Sequence, residues 1–320
     1  MTVPPRKIRL GASSLEVVPL GVGCWAWGDQ EYWRYGHEHG PHDVVDAFAE
    51  CLDAGLNFFD TAEAYAWGKG EQILGALARK SGRQPILATK YAPLAGRGGA
   101  AAVAKGLAGS LERLGVTAID LYQIHWADRD EAPIGPTMGV LADAVDAGTI
   151  RAVGVSNFSA DEMREAHAAL AARGIPLATN QVRYSLLHRS PEIDGVLEAC
   201  RELGVTLLAY SPLDQGLLTG KYSADVRPVG KRSEVPWFSA DNLAAAEPVL
   251  ELLREIAAER ATRPASVAIA WLLAQDGVVP LAGAKNAEQA RCNALALDLR
   301  LSDSEVARLG DATRGWRVVS

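Results

Sequence analysis

Long apolar runs are missing from this 320-residue chain. The longest, Ala265 to Ala274, falls far short of the ~20 residues a membrane-spanning helix needs, so it reads as a core helix and no membrane partner is expected. Cysteine is scarce and unpaired in pattern: Cys24, Cys51, Cys200 and Cys292 form no C-x-x-C and no metal-finger spacing, which points to reduced thiols. A net excess of positive charge is also lacking. A formal net charge of -7, with no basic stripe and no charged tail, argues against a nucleic-acid surface. Arg6, Lys7 and Arg9 are followed by no apolar segment of signal-peptide length, so the mature chain is expected to start at or near Met1 and to be cytoplasmic. There is no G-x-S-x-G elbow for serine-hydrolase chemistry, and no internal repeat.

What is present is a periodic alternation of strand-like and helix-like segments. Eight short apolar runs recur: Leu20 to Cys24, Leu56 to Asp60, Pro85 to Lys90, Ala118 to His125, Ile150 to Val155, Pro176 to Gln181, Val205 to Tyr210 and Val278 to Leu281. Segments with helical spacing separate them, several closed by a glycine such as Gly115, Gly148, Gly174 or Gly204. This pattern predicts one domain over residues 1–320, a (β/α)8 TIM barrel in the α/β class. Ile8 to Leu20 reads as an N-terminal β-hairpin that plugs one end. Asn242 to Arg260 and the stretch after Ser302 read as extra C-terminal helices, the last capped by Ser302 with Glu305 three residues on. The competing open sheet has one decoy, Gly21-Val22-Gly23-Cys24-Trp25-Ala26, but no helix opens directly after these glycines as a dinucleotide turn requires.

Three of the early runs end in ionisable residues. Asp60 closes the run Asn57-Phe58-Phe59, with Tyr65 five positions later; Lys90 closes Pro85 to Thr89; His125 closes Ile119 to Ile124. On parallel neighbouring strands these four side chains converge on one mouth of the barrel. The cluster His37, Glu38, His39 and His42 fits no common zinc spacing and is read, with Tyr32, Trp33 and Tyr35, as a lid over the pocket; no metal is expected. The thirty residues from Ser211 to Asp241 are too long for a mere connector and so are expected to be functional.

Taken in order, Asp60-Thr61-Ala62-x-x-Tyr65, Ala88-Thr89-Lys90, Asp120 to Trp126, Gly154 to Phe158, Asn180-Gln181, Ala209 to Leu213 and Gly283 to Asn286 resemble the aldo-keto reductase family over nearly the whole chain. The loops Trp25 to Asp29 and Gly216 to Tyr222 look most like its pyridoxal-reductase-like bacterial and plant branch. The resemblance implies NADPH-dependent reduction of an aldehyde or ketone, with NADH accepted more weakly. It assigns Tyr65 as proton donor, Lys90 as the cation that lowers its pKa, Asp60 as the anchor of Lys90 and His125 as the group orienting the carbonyl. It implies that Ser156, Asn157 and Gln181 hold the nicotinamide carboxamide and that Tyr210 stacks on the ring. Asn157 as a helix N-cap is the competing reading. Ser211, Pro212, Leu213, Gly216, Leu218 and Lys221 are expected to cover the pyrophosphate, and Gly283, Lys285, Gln289 and Asn293 to receive the adenosine phosphate. Trp25, Trp27, Trp33 and Trp126 are the expected substrate walls. The alternative function is a cofactor-binding regulatory subunit like the potassium-channel β subunits, which share the family's barrel. Two departures from the familiar pattern stand out: Gly70 where a serine is common before Glu71, and Ala66 where glycine is common after Tyr65.

Overall fold

The structure is a computed structural model that describes residues 6–128 and 130–316. The first five residues of the amino-terminal stretch read above lie outside the described residues. The chain opens with a two-stranded antiparallel hairpin, β1 (Ile8–Arg9) and β2 (Glu16–Val17). Eight parallel strands follow: β3 (Gly21–Gly23), β4 (Phe58–Asp60), β5 (Ile86–Tyr91), β6 (Ile119–Ile124), β7 (Ile150–Ser156), β8 (Leu177–Arg183), β9 (Thr206–Tyr210) and β10 (Val278–Gly283). They close in sequence order, and β10 pairs back onto β3 with Leu281 opposite Gly21 and Gly283 opposite Gly23. All eight predicted runs are strands of this barrel.

The helices are α1 (Pro41–Asp53), α2 (Lys69–Ser81), α3 (Gly99–Leu114), α4 (Ile134–Asp146), α5 (Ala160–Ala171), α6 (Ser190–Ile193), α7 (Val196–Leu203), α8 (Ala240–Glu259), α9 (Pro264–Leu273), α10 (Ala287–Ala294) and α11 (Asp303–Arg314). Between β8 and Gly204 the chain forms two helices, α6 and α7, parted at Gly195, whose left-handed φ of 81° makes it the N-cap of α7. Ser302 and Glu305 form the expected capping box on α11. The long segment after β9 is not irregular throughout: it winds through short 3₁₀ turns at Asp214–Thr219, Gly230–Glu234 and Pro236–Phe238.

Two buried clusters divide the interior. Between strands and helices lies the larger, with Phe48, Phe59, Leu141, Leu207 and Trp271 among its members. Inside the barrel, Phe58, Ala88, Leu121, Ala152, Ala178, Leu208 and Val279 pack with Leu10, Leu15 and Val17 of the hairpin. The hairpin is therefore part of the barrel's inner core and plugs the end opposite the strand C-termini. Gly11 at its turn has a φ of 54°, and a Cβ there would lie 2.7 Å from the Ala178 carbonyl oxygen, so only glycine fits. With that end sealed, the open mouth is where chemistry can happen.

Candidate active site

Four side chains meet at the open mouth. Lys90, on β5, is fully buried and donates from Nζ to Asp60 Oδ1 at 2.5 Å, to the Thr61 carbonyl at 2.7 Å and to the Tyr65 hydroxyl at 3.4 Å. The ammonium thus spends its three donors on one carboxylate, one carbonyl and one phenol. Asp60 is held from its other oxygen by Gln123 Nε2 at 3.0 Å and Gln181 Nε2 at 2.9 Å. The ring of His125, just past β6, lies edge-on to Tyr65 with centroids 5.7 Å apart. The structure brings together the four residues predicted from strand ends.

Their electrostatics follow from burial and from one another. Burial pushes the Tyr65 phenol above its ordinary value, and Lys90 pulls it partly back. The expected lowering by Lys90 is thus present but outweighed in the protein alone, because the hydroxyl lies in a poorly solvated pocket. Burial also acts to lower Lys90, but Asp60 and then Tyr65 outweigh it and hold its pKa above the ordinary lysine range. His125 is pushed down to about 3, by burial first and by the Lys90 charge second. Its imidazole is neutral at any ordinary pH, and its Nδ1 is buried without a protein partner. The buried Nδ1 is out of reach of a substrate, and His125, like Trp126, is absent from the wall of the cavity at this mouth; what the site offers is a neutral, partly exposed ring edge-on to the phenol.

The loop that carries Tyr65 is held under strain. Ala66 and Trp67 both have left-handed backbones, φ 47° and 56°, and Gly68 follows at 85°. Behind it, Glu71 is fully buried and accepts from Arg113 Nε at 2.5 Å and from Thr89 Oγ1 at 2.6 Å, while Glu63 accepts from Arg97 and from the Ala92 amide. These buried ion pairs pin both flanks of the turn. Gly70 is inside α2, whose N-cap position is Gly68 with no side-chain cap hydrogen bond, and a Cβ at 70 would lie 2.9 Å from Thr61 Oγ1.

A cavity of about 580 Å³ runs from Tyr65 and Asp60 to the start of α10. At its inner end it is walled by Trp25 and Tyr210; Trp25 stacks on Tyr32 at 5.0 Å and faces Tyr65 at 6.0 Å, while Trp33, edge-on to Trp25 at 5.4 Å, lies further along toward Lys285. Along its length lie Gln181, Ser211, Pro212, Leu213, Gly216 and Lys221, and at the far end Gly283, Lys285, Gln289 and Asn293. Asn286 caps α10 by accepting from the Gln289 amide, and Gln289 Oε1 accepts from the Lys285 amide, so side chains already fix this turn.

Several expected placements need correction. Trp27 does not line the cavity: it is fully buried against Phe48 and Phe59, with Nε1 donating to the Ala284 carbonyl. Leu218 is fully buried in the core behind the loop. Trp126 stands behind His125, 5.0 Å from its ring, and is absent from the cavity wall. Ser156 and Asn157 also lie off that wall, because protein groups already engage them. Ser156 Oγ donates to the Gln181 carbonyl at 2.8 Å; Asn157 Nδ2 donates to the His125 carbonyl at 2.9 Å, and its Oδ1 accepts from Tyr210 at 3.1 Å. Asn157 is not a helix cap either, since Ser159 caps α5 and Asn157 has a left-handed φ of 56°.

The sequence reading missed Arg232, Gln215, Thr219, Arg263, Glu288 and Arg291 on the cavity wall. Arg232 and Gln215 belong to the long loop after β9, where no periodicity marks which side chains turn inward. Among the described residues, no three His, Cys, Asp or Glu side chains gather as a metal requires. His39 instead is buried with Nε2 2.8 Å from the Ala26 carbonyl oxygen.

A closed parallel barrel with this mouth defines a class before it defines a protein, and comparison with known proteins settles the class. The aldo/keto reductase family matches residues 19–314. The chloroplastic pyridoxal reductase of Arabidopsis thaliana is 35% identical over 97% of this chain and 87% of its own. The NADH-specific methylglyoxal reductase of Escherichia coli is 32% identical over 94% and 96%. The solved structure of a glycerol dehydrogenase from Gluconobacter oxydans superposes with a TM-score of 0.84 at 29% identity, covering 98% of this chain and 97% of that one. The chain belongs to the aldo-keto reductase family. It is an oxidoreductase of that family, whose members act on small carbonyl substrates with nicotinamide cofactors. No helix among the described residues is long and apolar enough to cross a membrane.

Proposed function

We propose that this protein reduces an aldehyde or ketone to an alcohol with NADPH as the preferred cofactor. One observation carries the reading: the buried Lys90 ammonium lies between the Asp60 carboxylate and the Tyr65 hydroxyl, next to a neutral His125. A bound nicotinamide nucleotide supplies the hydride. The protein's residues then have to place the carbonyl oxygen and deliver a proton to it. Tyr65 gives that proton, and Lys90 stabilises the phenolate left behind, because a fixed cation favours the charged form of its neighbour. Asp60 keeps the ammonium charged and fixed, and its grip by Gln123 and Gln181 leaves it little freedom to move. His125, unable to charge at neutral pH, offers the carbonyl oxygen a neutral hydrogen bond and does not compete for the proton.

The cavity fits a nicotinamide nucleotide by its donor set. Gln181 and Tyr210 sit at the inner end for the ring, Lys221 and Gly216 along the middle for the pyrophosphate, and Lys285 with Gln289 at the start of α10 for the 2′-phosphate. Ser156 and Asn157 act one step back, by holding Gln181 and Tyr210. Trp25, facing Tyr65, forms the apolar wall for the substrate, with Trp33 next to it on the side of Lys285. A helix N-terminus with an ammonium beside it favours a dianionic phosphate over a hydroxyl, which supports NADPH over NADH.

Turnover and proton donation can be separated with one variant. Tyr65→Phe should lower kcat by about 10²- to 10⁴-fold while NADPH still binds, since a positioned acid contributes typically that much. Retention of more than about a tenth of kcat, roughly 1.4 kcal/mol of barrier, would refute the assignment. Absence of NADPH oxidation by the unaltered protein on any member of an aldehyde panel would favour the regulatory reading instead.

A further inference from the structure

One acidic side chain stands where the cavity's positive charge is densest. Glu38, in the loop between β3 and α1, reaches across the far end of the cavity. Its Oε2 lies 3.1 Å from Lys285 Nζ and 3.1 Å from Arg232 Nη2, and its Oε1 lies 3.4 Å from Arg34 Nε. Three cations therefore converge on one carboxylate. The two cavity cations are not free to disperse: Arg232 is 2% exposed and also donates to the Tyr222 hydroxyl, and both it and Lys285 rest on the face of Trp33, 5.1 and 4.9 Å from its centroid. Glu38 itself is only partly buried, its side chain 27% exposed at the rim. Burial and the neighbouring Arg232 hold Lys285 below the ordinary lysine range, whereas Glu38 acts to raise it.

We infer that Glu38 is a built-in competitor for the cofactor's 2′-phosphate, seated on Lys285 and Arg232, and that it sets how strongly the protein prefers NADPH over NADH. This rests on the nicotinamide-nucleotide reading of the cavity and on Lys285 as the 2′-phosphate contact. The charges decide the exchange. A phosphomonoester carries about -1.5 to -2 at neutral pH and three strong acceptor oxygens, against one charge on the carboxylate, so it outbids Glu38 for the same cations but must first displace it. NADH brings no such anion, so it can bind with Glu38 in place. The carboxylate therefore lowers NADPH affinity and leaves NADH affinity nearly untouched, which narrows the preference between them.

Tryptophan-fluorescence titration of NADPH and NADH tests this, with Trp33 beside the contact as reporter. Four proteins are compared: the unaltered chain, Glu38→Gln, Lys285→Ala and the double variant. Glu38→Gln, which keeps shape and deletes charge, should tighten NADPH about tenfold and change NADH less than about twofold. The gain should shrink in the Lys285→Ala background. If Lys285→Ala weakens NADPH selectively while Glu38→Gln leaves NADPH unchanged or weaker, Glu38 merely positions Lys285 and the inference is overturned, with the cofactor reading intact. If Lys285→Ala weakens both nucleotides equally or neither, the 2′-phosphate contact is wrong and the inference falls with it. A urea-unfolding midpoint for each variant separates lost folding from altered binding.

Discussion

Removing the charge of Asp60 without its shape should destabilise the whole protein before it affects any substrate. The Asp60 and Lys90 side chains are 3% and 0% exposed and 2.5 Å apart. Asp60→Asn leaves Gln123 and Gln181 a partner, but strands the ammonium with only the Thr61 carbonyl and a phenol. Breaking a buried pair from one side costs about 3–5 kcal/mol, a large share of the ~5–15 kcal/mol that holds a typical domain together. The pH dependence gives a second signature. With Asp60 present the folded pKa of Lys90 is raised, so its contribution is full below the unfolded value near ~10.4 and lost only as pH rises through the higher folded value. Without Asp60, burial acts with less opposition and Lys90 falls below its unfolded value, so the variant regains stability as pH climbs. Urea unfolding at pH 7 and pH 9 should show a smaller deficit at pH 9. Asp60→Asn with Lys90→Met should recover most of the loss, because no charge is then buried. A deficit under about 1 kcal/mol at pH 7, or losses that simply add in the double variant, would refute this account of the pair.

The left-handed backbone at Ala66 predicts that Ala66→Gly stabilises the protein by about 0.5–1 kcal/mol, as only glycine adopts that φ without steric cost; chemical denaturation would measure it, and a loss of stability would show that the turn is not strained there. His125 predicts acid sensitivity. Its folded pKa of about 3 lies below the unfolded value near ~6.5, so the unfolded state binds the proton first and stability falls as pH drops from 7 to 5, by roughly 2 kcal/mol from this ring. His39 and His188, also held down by burial, add to the slope, so the difference between the unaltered protein and His125→Phe isolates the His125 part. Equal slopes in the two proteins would contradict a buried neutral imidazole.

The barrel was legible in the sequence because most of the strand runs end in a polar residue and several of the helices between them stop at glycine, two signals that depend only on local chemistry. Asp60, Lys90 and His125 were legible for the same reason: a strand end fixes which mouth a side chain reaches. Trp27 misled because it follows Trp25 with one residue between, and the chain turns inward there to place Nε1 on Ala284. Ser156 and Asn157 sit where expected along the chain, but neighbouring strands had already taken their polar atoms, which no single-strand pattern reveals. Arg232 and Glu38 lay furthest from reach. They lie 194 positions apart and meet only because two loops cross over the cavity.

The pairing of β10 with β3 also decides when the molecule becomes itself during synthesis. Leu281 and Gly21, 260 positions apart, must come together before the ring of strands exists. Until then a nascent chain can assemble the hairpin and the early strands, and with them Asp60, Tyr65, Lys90 and His125, but as an open sheet whose greasy inner face has an unfilled edge. Lys285 and the start of α10 leave the ribosome later still. Asp60, Tyr65, Lys90 and His125 are thus made in the first half of translation, whereas the far end of the same cavity, at Lys285, Gln289 and Asn293, is supplied only near its end.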